Sequence, residues 1–276
     1  MNLRSPRKAR PAALVSALVS ALCSLCWIAV LPPTATAEEA RSETTATNLT
    51  FFELRTYYTH EGKLDALLKR FREHTVALFE KHGMTNVGYW VPVPNDEQIL
   101  VYLMAYPDRQ ARDASWKAFM ADPEWKATYA ASTKDGKLLR KVDSVFLQST
   151  DYSPALKIAA SDPARLFELR RYTTETGKLP NLDARFRDHT IGLFGKHGMT
   201  NLVYLHLAPD QEGTENTLVY LLAHQDSASR DASFDAFRDD PQWQTAKKAS
   251  EAAGPLLIKG GVQSLLLEPV DFSPIK

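Results

Sequence analysis

The chain has 276 residues, of which 44% are hydrophobic and 24% charged; this is ordinary globular usage and excludes a largely disordered polypeptide. Basic and acidic residues balance at 33 each, so nothing in the charge points to a nucleic-acid partner, which would need a basic face.

The first segment reads as a targeting sequence. Arg4, Arg7, Lys8 and Arg10 precede an apolar run from Ala12 to Leu31, followed by Pro32-Pro33 and the small-residue site Ala35-Thr36-Ala37. That order predicts a secretory signal peptide (1–37) cleaved after Ala37, and hence an exported protein, periplasmic or secreted. The run is also long enough for an uncleaved anchor, which needs about 20 apolar residues; the Ala-x-Ala site favours cleavage. Cys23 and Cys26 both lie in this segment, so the mature chain carries no disulfide and no thiol nucleophile or ligand. Cleavage removes four bases and no acid, and the resulting negative balance argues against adsorption to anionic lipid. Residues 38–49 read as a polar, disordered leader.

The remainder is one unit written twice. Phe52-Glu-Leu-Arg-Thr-Tyr57 returns as Phe167-Glu-Leu-Arg-Arg-Tyr172, and Lys81-His-Gly-Met-Thr-Asn86 as Lys196-His-Gly-Met-Thr-Asn201. Arg112-Asp-Ala-Ser115 returns as Arg230-Asp-Ala-Ser233, Asp122-Pro-x-Trp125 as Asp240-Pro-x-Trp243, and Asp151-Tyr-Ser-Pro154 as Asp271-Phe-Ser-Pro274. Between Phe52 and Val91, 24 of 40 positions are identical to their counterparts. The domains are expected at 50–152 and 165–273, joined by a linker at 153–164.

Within each copy the hydrophobic period alternates. Thr50–Tyr58 reads as a strand with Phe52 and Leu54 on one face and Glu53, Arg55 and Tyr57 on the other. Lys63–Lys81 reads as a helix whose apolar stripe runs Leu64, Leu67, Phe71, His74, Leu78, ending at Gly83 with Lys81 and His82 in its last turn. Asn86–Val91 and Ile99–Tyr106 read as strands, Arg109–Met120 as a helix capped by Asp108, Asp122-Pro123 as its break, and Val142–Gln148 as a last strand. The order βαββαβ is that of a ferredoxin-like unit, giving an α+β fold.

These residues resemble a family. The Glu-Leu-Arg-x-Tyr opening, the Lys-His-Gly-Met-Thr-Asn segment with Tyr89-Trp90, and the Arg-Asp-Ala-Ser-Trp and Asp-Pro-Glu-Trp stretches look like the NIPSNAP domain, over both copies. The second copy departs at Leu205 (for Trp90) and Phe234 (for Trp116), and carries three extra residues before its third strand. The resemblance implies a dimeric α/β barrel, here built within one chain as a pseudo-dimer of tandem ferredoxin-like domains. It implies little about activity, since members are mostly uncharacterised, and it leaves further oligomerisation open.

The candidate chemistry lies at paired positions. Glu53, Arg55 and Tyr57, with Glu168, Arg170 and Tyr172, would give a polar barrel interior if they faced inward. Arg could then neutralise a ligand carboxylate and Glu or Tyr serve as acid or base; the alternative is a Glu–Arg network that satisfies itself. His74 and His189 fall in the apolar stripes and should face the sheet. There an imidazole could orient a ligand, act as a base or ligate haem, or be a hydrogen-bonded core residue. Asn86 and Tyr89, like Asn201 and Tyr204, have opposite strand parity, so one of each pair should reach a cavity. His82 and His197 read as helix-end residues. His60, His206 and His224 lack counterparts, and a paired site would not use them. No spacing suits zinc or calcium, so no metal is expected, and no cofactor beyond the haem alternative. Two functions stay open: binding of a small organic ligand in the barrel or the helix–sheet cleft, with an oxygenase- or isomerase-like reaction if catalytic, or a protein-interaction scaffold without chemistry.

Overall fold

A computed structural model describes residues 49–276. The expected signal peptide, and the leader up to residue 48, lie outside the described residues.

The first copy runs β1 (Phe51–Thr59), α1 (Leu64–Arg70), a π-helical turn (Phe71–Thr75), α2 (Val76–Lys81), β2 (Thr85–Pro92), β3 (Ile99–Tyr106), α3 (Arg109–Ala121), α4 (Pro123–Ser132) and β4 (Leu139–Ser149). The second repeats it as β5 (Leu166–Thr174), α5 (Leu179–Arg185), a π-helical turn (Phe186–Thr190), α6 (Ile191–Lys196), β6 (Thr200–Leu207), β7 (Thr217–His224), α7 (Ser227–Asp239), α8 (Pro241–Ser250) and β8 (Leu257–Pro269). The repeated motifs explain the element ends. Asp108 and Asp122 cap α3 and α4 by accepting from the Ala111 and Glu124 amides, and Asp226 and Asp240 do the same for α7 and α8. Gly83 and Gly198, at φ +76° and +82°, take the left-handed conformation that turns each helix into the next strand.

Eight antiparallel strands close a barrel in the order β1-β3-β2-β8-β5-β7-β6-β4. Each half contributes a four-stranded sheet, and two short ladders join them: Trp90, Val91 and Pro92 pair with Pro269, Glu268 and Leu267, while Leu147, Gln148 and Ser149 pair with Leu207, His206 and Leu205. The Asp-aromatic-Ser-Pro segment after each last strand then docks on the opposite half. Ser273 Oγ accepts the Tyr89 amide at 2.9 Å, Phe272 packs on Phe71 and Tyr89, and Asp271 forms a two-pronged pair with Arg72. Reciprocally, Ser153 Oγ accepts the Tyr204 amide at 3.0 Å and Asp151 pairs with Arg187. The start of the expected linker is therefore built into the fold, and Leu156 beyond it is buried in the core.

The structure corrects one expectation about the faces. The barrel interior takes the apolar side of every strand, including Phe52, Leu54, Trp90, Phe167, Leu169 and Leu205. The space left inside is about 10 Å³, barely what one water requires. Glu53, Arg55 and Tyr57 instead face outward, under the helices, as do Glu168, Arg170 and Tyr172. The physical reason is space: eight inward strand faces meet inside a small barrel, and the only sides that bury without counter-charges are the Phe/Leu sides. Between Gly88 and Trp90 the fit is so close that a Cβ on Gly88 would lie 2.3 Å from the indole. The second half has Val203 and the smaller Leu205 at these positions.

Candidate functional site

Beneath the helices of each half, the outward face of the sheet carries a charged centre. Glu53 is fully buried and accepts from Arg55 Nη1 at 2.5 Å, from Arg112 Nε and Nη2 at 2.8 and 2.9 Å, from Trp116 Nε1 at 2.9 Å, and from the Ser144 hydroxyl. The Arg55 guanidinium stacks 4.4 Å from the Trp116 ring and donates to Tyr57 Oη at 3.3 Å. Two repeated motifs meet here: Glu-Leu-Arg-x-Tyr on β1 and Arg-Asp-Ala-Ser on α3. Burial alone would raise the Glu53 pKa, but Arg112, Arg55 and Ser144 outweigh it and hold the carboxylate below its ordinary value. The ion pair is closed on itself in the manner of a structural network.

The second centre keeps the plan with altered parts. Glu168, also fully buried, accepts from Arg170, from Arg230 at 2.9 Å through two nitrogens, and from Ser264. Arg170 Nε donates to Tyr220 Oη at 2.8 Å and Nη2 to Tyr172 Oη at 3.1 Å. Phe234 stands where Trp116 stands and cannot donate. In compensation, His224 occupies the position of Tyr106 and brings Nε2 to 3.2 Å from Glu168 Oε2, off the line of a straight hydrogen bond. Sequence reasoning set His224 aside for lack of a counterpart. The signal that could have found it is the paired exchange of Trp116 and Tyr106 for Phe234 and His224.

His74 and His189 are not where the stripe placed them. Both are exposed. Each helix inserts one extra residue through its π-helical turn, so Thr75 and Thr190 take the inward place and donate to the Arg70 and Arg185 carbonyls at 3.2 and 3.1 Å. Neither imidazole reaches the cleft, and a haem ligand there would have to come from elsewhere.

Asn86 and Tyr89 share a face after all. A β-bulge at Val87 shifts the register between Asn86 and Gly88, so the Tyr89 hydroxyl donates to Asn86 Oδ1. Asn86 Nδ2 donates to the Val76 carbonyl at 3.2 Å, tying the strand to the helix beyond its π turn. Asn201 and Tyr204 repeat the arrangement around Leu202, with Nδ2 on the Ile191 carbonyl at 3.1 Å. These four residues buttress the helix rather than open into a chamber. His82 and His197 sit at the helix ends as expected, with Nε2 2.7 Å from Asp122 and Asp240.

The second half has an aromatic-lined cleft beneath its helices. Between the β5–β8 face and helices α5 to α8 is a cleft of about 400 Å³, walled by Tyr172, Phe186, Phe194, Phe234, Phe237 and Trp243, with Arg185, Arg238, Lys247 and Glu251 at its polar side. Arg185 is itself buried, and its Nη1 donates to Glu251 at 2.9 Å. In the first half the positions of Lys247 and Arg238 are Tyr129 and Met120. Among the described residues no three potential metal ligands cluster, and no helix is long and apolar enough to cross a membrane.

Two ferredoxin-like units closing one barrel within a chain, each with helices over an Arg–Glu centre, define an intrachain dimeric α/β barrel. The chain belongs to the NIPSNAP family, whose model matches it twice, at residues 52–154 and 167–274. It is 24% identical to Protein NipSnap homolog 3B of Mus musculus over 230 residues, covering 83% of this chain and 87% of the relative. An uncharacterized NIPSNAP domain protein from Burkholderia xenovorans is 26% identical, with 98% of it matched to 38% of this chain at a TM-score of 0.34. A solved protein of Lactobacillus acidophilus NCFM, provisionally named a monooxygenase, shares the fold at 9% identity: 94% of it aligns with 80% of this chain at a TM-score of 0.51.

Proposed function

We propose that this is an exported NIPSNAP protein that binds a small organic acid with an aromatic body in the helix–sheet cleft of its second half. One observation carries the reading. The cleft's volume of about 400 Å³, its six aromatic side chains and its few convergent polar groups match the general anatomy of small-molecule sites. Lys247 and Arg238 at the rim supply attraction for a carboxylate, while the aromatic rings take the flat body of the ligand. The solid barrel interior plays no part.

Trp243 fluorescence and thermal shift, recorded with a panel of aromatic acids, test it. Lys247→Tyr places at this position the residue that the first half carries as Tyr129. It is expected to abolish the response while leaving the melting transition cooperative. A response equal in wild type and Lys247→Tyr would place the ligand elsewhere.

A second reading has its own support. In both centres the glutamate's charge is met by arginines of the same half, and the barrel is filled, as a protein-interaction scaffold without chemistry requires. A protein that melts cooperatively yet responds to no compound of the panel would favour it.

A further inference from the structure

The two halves treat one buried arginine differently. Arg185 in the second half has its own counter-ion, with Nη1 2.9 Å from Glu251 Oε1. Its counterpart Arg70 is equally buried, at 4% exposure. Position 133, which corresponds to Glu251, is Thr. Among the described residues no carboxylate forms an ion pair with Arg70. The charged and titratable groups that act on it are the phenols of Tyr57, Tyr102 and Tyr129. Its Nη1 donates to Ser132 Oγ at 3.2 Å, and its Nε, like that of Arg185, is buried without a partner; what separates the two is the carboxylate. The guanidinium lies 5.3 Å from the Trp125 ring centre and 5.6 Å from that of Tyr129. Such cation–π contacts repay only part of the cost of taking a full charge out of water. Burial, accordingly, depresses the Arg70 pKa despite the tyrosines.

Arg70 also borders open space. A groove of about 310 Å³ between α1 and α4 is lined by Lys69, Arg70, Glu73, His74 and Ser132, with Ala66, Thr128 and Ala131 as its apolar floor. A buried cation lacking a counter-charge, an unpartnered N–H, a hydroxyl and a second cation, Lys69, which lies 4.0 Å from Glu73, converge on one cavity. The same arginine in the other half, given a carboxylate by the chain, needs no such visitor.

We propose that the first half holds an anion site at Arg70: a small oxyanion, carboxylate or phosphate, enters the groove and supplies the charge that Glu251 supplies to Arg185. The site is separate from the second-half cleft and does not depend on it. The π-helical turn serves it by turning His74 outward, onto the groove's wall.

The test uses the Lys247→Tyr protein, so that binding in the second-half cleft does not contribute. Inorganic phosphate and benzoate are titrated by calorimetry and by thermal shift, against sodium chloride of equal ionic strength. Saturable binding is expected with at least one of them, and the stronger of the two names the anion's chemistry. Thr133→Glu transplants the second half's counter-ion. It is expected to raise the melting temperature without ligand and to weaken anion affinity by at least about tenfold, because the site is then satisfied internally. Arg70→Gln is expected to remove the binding as well. Absence of binding beyond the chloride control would overturn the proposal, as would affinity unchanged in Thr133→Glu or in Arg70→Gln.

Discussion

Replacing Glu53 by Gln asks whether the buried ionic centre is a structural network. The carboxylate is fully buried and collects five hydrogen bonds from Arg55, Arg112, Trp116 and Ser144. Glutamine keeps one carbonyl oxygen and turns an N–H₂ group towards donors that need acceptors. Arg112 sits near the helix surface and already pairs with Asp113, so it can swing to solvent. Arg55 cannot: its side chain is 13% exposed and held under the Trp116 ring. One trapped, unpaired cation sets the cost, about 3–5 kcal/mol by comparison with broken buried pairs. At about 2–4 °C per kcal/mol for a protein of this size, the melting temperature should fall by roughly 6–20 °C. Adding Arg55→Met removes the trapped charge and should recover most of the loss, so the cycle of Glu53→Gln, Arg55→Met and the double variant measures the coupling. Thermal and urea unfolding of the four proteins suffice. A cost below about 1 kcal/mol for Glu53→Gln would refute the network, and would mean that Arg55 finds its charge partner elsewhere.

Other expectations follow from the same geometry. Trp90→Ala should cost about 3–5 kcal/mol, because the barrel core cannot collapse onto the space it leaves. Gly88→Val alone should be strongly destabilising through its clash with the indole and with Ile275 Cγ2, 2.6 Å from the added Cβ, whereas Gly88→Val with Trp90→Leu and Ile275→Ala reproduces the second half's Val203, Leu205 and Ala155 and should restore most of the stability; urea midpoints distinguish these outcomes. Asp271→Asn should cost less than about 1 kcal/mol, since its pair with Arg72 is exposed, and Phe272→Ala should cost more; the reverse ranking would show that the C-terminal segment is held by charge rather than packing. Lys81 and His82 hold Asp122 well below the usual carboxylate range, and Lys196 and His197 hold Asp240 likewise. A depressed folded-state pKa contributes stability that is complete above the ordinary range near pH 4 and is lost as pH falls through the folded value. Denaturation midpoints should therefore drop between about pH 4 and pH 2, and Asp122→Asn with Asp240→Asn should flatten that drop; identical slopes would exclude these caps as its source.

The duplication, the element order and the division of β1 into two faces are legible in the sequence because they rest on periods of 2 and 3.6 and on identity between copies. What is not legible is which face turns inward, since Glu53-Arg55-Tyr57 and Phe52-Leu54 are both buried and only barrel closure chooses between them. Two single-residue insertions defeat periodicity in each copy. The π turn passes the inward place from His74 to Thr75, and the bulge at Val87 brings Asn86 and Tyr89 to one side. Each leaves the composition unchanged and moves every later side chain by one position. The candidate cleft was hidden for a different reason. It depends on Lys247 and Arg238 standing where Tyr129 and Met120 stand, and such a contrast acquires meaning only once the residues are known to line one space.

The differences between the halves come in contacting groups. Trp116 with Tyr106 becomes Phe234 with His224, and the indole that donates to the central glutamate gives way to an imidazole 3.2 Å from it. Phe272, Leu68 and Val91, an apolar set, become Tyr152, Asp183 and His206, in which the Tyr152 hydroxyl donates to Asp183 at 2.6 Å and His206 Nε2 lies 2.9 Å from the same oxygen. Burial and the Asp183 charge both push the Tyr152 pKa up, so the phenol stays a donor. Exchanges of this kind keep each buried charge beside an opposite one, even where a hydrogen bond is lost, as at the His224 nitrogens. Arg70 breaks the rule, because its counter-charge was not carried over and no other residue replaces it. Set against Arg55, Arg170 and Arg185, whose buried charges each meet a carboxylate, a buried arginine without one beside an open groove is the feature of this chain least explained by folding alone.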